Sequence, residues 1–225
     1  MILLSCEHAG NKVPAAYQKL FSQCDNLLQS HRGWDPGALP VAQELSRLID
    51  AKLFTYSYTR LLIEPNRSIH HKNLFSHLSK ELPKPRKQDL IDNYYLPYRF
   101  KVEKAIEAAL PSAIVWHFSI HSFTPELNGQ VRNTDIGLLY DPSSNLEKEI
   151  CLEVKNQLLH HSPYRVRLNY PYLGKADGFT TYLRRRFPVN YAGVEIEINQ
   201  NLASANPTAV AGAIAEAIQQ IYHPL

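Results

Sequence analysis

The sequence predicts an α/β fold: one three-layer α/β/α domain over residues 1–225, built on a mixed, mostly parallel central sheet. Three observations predict it. Short apolar runs alternate with helical patterns along the whole chain, which is the grammar of strands joined by helices on both faces of a sheet. No internal repeat, low-complexity tract or clear linker divides the chain. At 225 residues, 44% hydrophobic and 20% charged, it has the size and composition of an ordinary globular domain with a substantial core.

Residues 1–6 read as the first strand, the apolar run Met1-Ile2-Leu3-Leu4 leading into Ser5-Cys6. Asp35-Pro36-Gly37 then opens a helix to about Ile49, with Leu39, Ala42, Leu45, Leu48 and Ile49 on one face. Pro36 suits the first helical position and Asp35 the N-cap. Lys52 to Tyr58 and Arg60 to Glu64 are β-rich, and the polar segment 66–96, with Pro83 and Pro85, reads as short helices and loops over one face. A helix from Tyr98 to Leu110 leads into a strand over 113–120, and Asp135 to Tyr140 forms another strand. Leu146 to Leu159 is an amphipathic helix, Tyr164 to Leu168 a strand, and Thr180 to Arg186 helical. Gly193 to Ile198 is a strand with alternating acids, and the alanine-rich segment Ala205 to Ile221 is a closing helix. The Tyr56, Tyr58 and Tyr94-Tyr95 clusters read as packing, and Arg184-Arg185-Arg186 as a solvated face.

The net charge of +3 is too small to argue for a nucleic-acid partner. Cys6, Cys24 and Cys151 show no CxxC spacing, and their odd number argues against a disulfide framework, so a reducing compartment fits best. Met1 to Leu4 is too short for a signal-peptide core, and no stretch approaches the roughly 20 apolar residues of a transmembrane helix. These observations predict a cytoplasmic protein with no membrane partner; they say nothing of its oligomeric state.

The chemistry-bearing residues fall at strand ends. Ser5-Cys6-Glu7-His8-Ala9-Gly10-Asn11 follows the first strand, and His121-Ser122 follows the strand 113–120. In open α/β sheets, ligands bind at the carboxyl ends of the strands. Two histidines in equivalent places predict one metal site, and zinc favours imidazole. An acidic third ligand is expected at Asp35, in the run His31 to Ala38, with Glu7 as its competitor and His31 a weaker one. Glu195 and Glu197 share parity and point to one face of the late strand. An acid on an apolar strand costs free energy unless it is paired or functional, and a carboxylate beside a metal site is a general-base arrangement. That role falls to Glu197. Arg60, Asn66 and Arg67 form a third cluster, suited to a carboxylate because the guanidinium fork matches it. Residues 169–180, rich in Tyr and Gly, read either as a substrate-covering loop or as a plain connection.

Five segments together resemble the N-formylglutamate amidohydrolase family over essentially the whole chain: Ser5 to Asn11 (SCEHAGN), His31 to Ala38 (HRGWDPGA), Arg60 to Ser68 (RLLIEPNRS), Ile120 to Phe123 (IHSF) and Glu195 to Leu202 (EIEINQNL). The resemblance implies a phosphorylase/hydrolase-like fold, shared with zinc carboxypeptidases and aspartoacylases. In those relatives an Arg and an Asn-Arg pair hold the substrate carboxylate, which Arg60, Asn66 and Arg67 match in order. One departure is plain: the carboxypeptidase-type pattern His-x-x-Glu would need an acid at position 11, where this chain has Asn11. Zinc N-acetylmuramoyl-alanine amidases take their acid from the opening of the next helix, a place similar to that of Asp35. Their Ser-Ile-His motif looks like Ser119-Ile120-His121, and their late-strand Glu like Glu197. The segment SCEHAGN also differs from the DSPHSG form associated with histidine-degrading members: His8 is common to both forms, while Glu7 is not.

The resemblance implies a hydrolase that uses zinc, or another divalent metal, to cleave the amide of a small anionic N-acyl amino acid. N-formyl-L-glutamate, giving formate and glutamate, is the leading candidate substrate. Two alternatives use the same residues. One is a zinc amidase or carboxypeptidase acting on a cell-wall peptide or muramoyl amide. The other is a metal- or ligand-binding protein of the same fold without catalysis.

Overall fold

The computed structural model describes residues 1–222. β1 (Ile2–Cys6) enters the interior at once. A 3₁₀ turn (Ala15–Phe21), α1 (Asp25–Gln29) and a loop lead to α2 (Ala38–Leu48), and β2 (Lys52–Thr55) returns alongside β1. α3 (Lys84–Leu90) runs through a π-helical turn (Ile91–Tyr95) into α4 (Leu96–Ala109). There follow β3 (Val115–Phe123), the small hairpin β4 (Glu126–Leu127) and β5 (Gln130–Val131), β6 (Ile136–Leu139) and α5 (Asn145–His161). β7 (Val166–Leu168), α6 (Phe179–Arg186), β8 (Tyr191–Asn199), α7 (Gln200–Ala205) and α8 (Pro207–Ile221) end the described chain.

The main sheet has the order β2-β1-β3-β8-β6-β7. β2, β1, β3 and β8 run parallel; β6 runs antiparallel to β8 and carries β7 parallel to itself. The sheet is therefore mixed and mostly parallel, with helices on both sides. α2, α5 and α8 cover one face, on which Leu4, Phe118, Ile120, Val194 and Ile196 are buried. α4, α6 and the 3₁₀ turn cover the other, against Leu3, Val115 and Tyr191.

Strand alternation makes those two faces chemically unlike. The side chains facing α4 and α6 include Ser5 on β1, Glu7 just beyond it, His117, Ser119 and His121 on β3, and Glu195 and Glu197 on β8, all buried. Register aligns them in rows: Ser5 beside Ser119 beside Glu195, and His121 beside Glu197. A buried row of this kind is tolerated only where each group finds a partner or has a ligand to serve. Both acids of the late strand lie at the centre of the sheet, because β8 is flanked by β3 and β6.

Several boundaries differ from expectation. β3 continues to Phe123, so His121 lies within the strand. Arg60 to Glu64 is turn structure tied down by unlike partners: the Arg60 N–H donates to the Gly33 carbonyl and the Glu64 N–H to the Leu74 carbonyl. β2 stops at Thr55, and Tyr58 keeps one isolated bridge to Lys12. The segment 66–96 includes α3, which joins α4 through the π-helical turn. The N-cap of α2 is Gly37, not Asp35. Arg184 is not on a solvated face: it donates to Glu147 and to the Gly174 and Gly193 carbonyls, while Arg185 and Arg186 are exposed. Tyr56 and Tyr95 are core residues, with Tyr58 and Tyr94 packed against them. All three cysteines are free. Among the described residues, no helix is long and apolar enough to cross a membrane.

Candidate active site

His8 leaves the end of β1 in a turn and is buried. Its carbonyl accepts the Asp35 N–H at 3.0 Å, which brings the start of the α2 segment against the end of β1. Gly37 takes φ 83°, a left-handed conformation that glycine adopts freely, and an added Cβ would lie 2.7 Å from Cβ of Ala203. With Gly37 at the cap, the Asp35 side chain is not spent on the helix. It turns inward to the histidines.

Three atoms converge there. His8 Nδ1 lies 3.2 Å from Asp35 Oδ2 and 3.1 Å from His121 Nδ1, and His121 Nδ1 lies 3.0 Å from Asp35 Oδ2. The opposite edge of each ring fixes its tautomer. His8 Nε2 is 2.5 Å from Glu64 Oε1, and His121 Nε2 is 3.2 Å from Glu7 Oε2. An ionised carboxylate only accepts, so each Nε2 carries hydrogen and each neutral ring presents a lone pair at Nδ1. Two imidazole lone pairs and a carboxylate oxygen thus point at one place. Their separations fit a single small cation bound at about 2.0–2.1 Å to each. Among the described residues, His8, Asp35 and His121 form the group of His, Cys, Asp or Glu side chains placed to hold a metal.

The supporting contacts are dense. Glu7 is fully buried and accepts from Tyr98 Oη at 2.8 Å and Ser119 Oγ at 2.5 Å. Arg60 donates through Nε to Glu64 at 2.7 Å and through a terminal nitrogen to Asp35 Oδ1 at 3.2 Å. Burial opposes the ionised form of Glu7, but His121, His117 and Ser119 outweigh it and hold its pKa well below the usual carboxylate range. For Glu64, Arg60 and His8 do the same. Burial also opposes a charged His121, yet its contacts with Asp35 and Glu7 raise it well above its ordinary 6.5 when no metal competes. The cluster is built to hold positive charge at Nδ1, either as a proton or as a cation.

Glu197 faces this group from the neighbouring strand, paired with His121. Burial, opposed by His121 and reinforced by Asp35 and Glu195, pushes its pKa up to about 7. Its Oε2 is buried without a hydrogen-bond partner. One cavity of about 480 Å³ is bordered by His8, Asp35, His121 and Glu197 and also by Arg60, Asn66 and Arg67. Tyr172, Leu173, Ala176 and Asp177, from the loop between β7 and α6, border it as well.

Within that cavity, the three residues expected to meet substrate differ in availability. All three guanidinium nitrogens of Arg60 already face Glu64 or Asp35. Asn66 accepts the Phe179 N–H through Oδ1 at 2.6 Å, which pins the start of α6. Arg67 donates to the Asp177 carbonyl, while the Ser68 N–H donates to the Asp177 carboxylate. His31 is exposed and lies outside the donor set, and Glu7 supports His121 from behind. The sequence alone assigned no site role to Glu64, Ser119 or Tyr98. Glu64 carried a signal, since it ends the apolar run Leu61-Leu62-Ile63, where an acid needs a partner.

The family described as N-formylglutamate amidohydrolase matches residues 1–204. Among solved structures, a gene product of Agrobacterium tumefaciens, Atu2144, is similar at TM-score 0.84 and 27% identity, over 97% of this chain and 89% of that one. An N-formylglutamate amidohydrolase from Ralstonia eutropha JMP134 is similar at TM-score 0.72 and 18% identity, over 98% of this chain and 92% of that one, a likeness of fold. No curated protein matches the sequence.

Proposed function

Because the chain belongs to the N-formylglutamate amidohydrolase family, we propose that it hydrolyses the amide of a small N-acyl amino acid with a divalent metal, Zn²⁺ foremost, held by His8, Asp35 and His121. The leading substrate is N-formyl-L-glutamate, yielding formate and glutamate. One observation carries the reading: three lone pairs converge beside a buried, unpartnered carboxylate in a single cavity.

When bound, the metal supplies Lewis acidity toward a water molecule and an acyl oxygen. Glu197 is the general base. Its Oε2 takes a proton from the attacking water, water oxygen bonds to the acyl carbon, and the carbon–nitrogen bond breaks as the same carboxyl returns the proton to the leaving nitrogen. A carboxyl that titrates near neutrality suits both halves of this cycle. Arg67 and Asn66 orient a substrate carboxylate. Arg60 lies along the same cavity and acts chiefly by holding Asp35 and Glu64.

The test is a panel of N-formyl, N-acetyl and N-carbamoyl amino acids assayed with added Zn²⁺ and with chelator. Chelator-sensitive release of formate from N-formyl amino acids is expected. No turnover across the panel, with zinc bound stoichiometrically, would overturn the assignment in favour of a binding protein.

A further inference from the structure

We propose that Arg132 is the specificity-determining residue that receives the side-chain carboxylate of the acidic N-acyl amino acid. The inference rests on the amidase reading above and adds to it which residue meets the side-chain carboxylate.

The starting point is a deficit inside the cavity. Arg60 is committed to Glu64 and Asp35, which leaves Arg67 as the bordering guanidinium without an acidic partner among the described residues. Asp177, Glu195 and Glu197 border the same space. A dicarboxylate placed wholly within those walls would set its second carboxylate against acids. The second anion therefore needs a cation at the rim.

Arg132 lies beside that space, against the wall residue Tyr172, without itself bordering the cavity. It follows β5, and its backbone is tied to the carboxyl edge of the central sheet: its N–H donates to the Pro125 carbonyl at 2.7 Å, just past β3, and its carbonyl accepts Asn199 Nδ2 at 3.5 Å, at the end of β8. Phe123 and Asn199 are paired across β3 and β8, each two residues beyond His121 and Glu197 and on the same face. Two residues of strand span about 6.6 Å, the scale of an amino-acid side chain. The guanidinium lies 5.9 Å over the Phe123 ring and 5.3 Å over the Tyr172 ring, and it donates to Tyr172 Oη at 3.2 Å. Tyr172 is itself a cavity wall. The arginine is thus tied one row above the donor cluster, within cation–π range of two aromatic rings, and among the described residues no carboxylate pairs with it. A guanidinium without a carboxylate partner, held against the wall residue of a carboxylate-lined cavity, suits an incoming carboxylate, which it can engage bidentately.

The experiment reads binding rather than turnover. Zinc-loaded full-length Glu197→Gln protein is titrated calorimetrically with N-formyl-L-glutamate and N-formyl-L-glutamine, which differ only in the charge of the side chain. At least tenfold tighter binding of the glutamate compound is expected. Adding Arg132→Gln should reduce that ratio to within about twofold, and Arg132→Lys should restore part of it. Absence of charge preference in the parent, absence of binding, or a ratio that survives Arg132→Gln would each overturn the proposal. Charge preference that depends on Arg132, in a protein whose native form hydrolyses no N-acyl amino acid, would uphold this inference and sink the amidase reading.

Discussion

At the scale of single residues, the site works through hydrogen bonds that decide where lone pairs point. Glu7 and Glu64 fix the Nε2–H tautomers of His121 and His8, and so deliver both Nδ1 atoms to Asp35. Such partners behind a ligating histidine are worth about 10–100-fold in metal affinity. Glu7→Gln keeps the shape and removes the charge, so zinc affinity measured by chelator competition should fall within that range; unchanged affinity would show that Glu7 does not orient His121. Metal binding should also release protons, because His121 is raised above its ordinary value in the metal-free state and must lose its proton to offer a lone pair. Calorimetry in buffers of different ionisation enthalpy counts those protons, and zero released near pH 7 would contradict this. Glu197 titrates at about 7 because burial disfavours its charge. A base acts only when ionised, so kcat/KM should rise with pH through an acid limb at or below about 7, a nearby metal charge drawing the limb lower. Glu197→Gln should keep zinc and lose turnover together with that limb.

At the scale of elements, a glycine and a buried ion pair set the geometry. Gly37 releases Asp35 from capping α2 and packs against α7. Gly37→Ala meets both a left-handed φ and the Ala203 contact, so a loss of about 1–3 kcal/mol is expected, together with weaker zinc binding. Thermal unfolding and chelator competition on the same variant check both, and wild-type values would refute the role. Arg184 on α6 ties α5 to β8 through Glu147, which also accepts the Gly193 N–H. Arg184→Met leaves a buried carboxylate without its partner, a loss expected at about 3–5 kcal/mol by denaturant melts.

At the scale of the whole molecule, the carboxylates gathered at the polar face of the sheet and the turns beside it form a reservoir of buried negative charge that a bound cation would neutralise. Glu7, Asp35, Glu64 and Glu197 all lie in the buried class. A ligand bound only by the folded state stabilises by about 2.7 kcal/mol at a hundredfold excess over its Kd. For a domain of this size each kcal/mol is worth about 2–4 °C. Zinc should therefore raise the melting temperature by several degrees and a chelator should reverse it; a melting curve indifferent to both would argue against a metal at this centre.

The sequence by itself determined the main alternation of strands and helices, though not α1, the β4–β5 hairpin or α7, because periodicity and apolar runs depend on neighbours in the chain. It also marked His8, Asp35, His121 and Glu197, since polar residues in apolar surroundings need a reason to be there. It did not determine the turn at Arg60 to Glu64, whose backbone partners are Gly33 and Leu74, or the burial of Arg184, whose partners come from α5 and β8. Only the tertiary structure decided that Gly37 caps α2, that Arg60 is occupied by two carboxylates, and that Glu64 stands behind His8. Those facts rest on groups far apart in sequence brought within about 3 Å, and at that range a hydrogen bond is decided by three-dimensional geometry, which local sequence pattern does not specify.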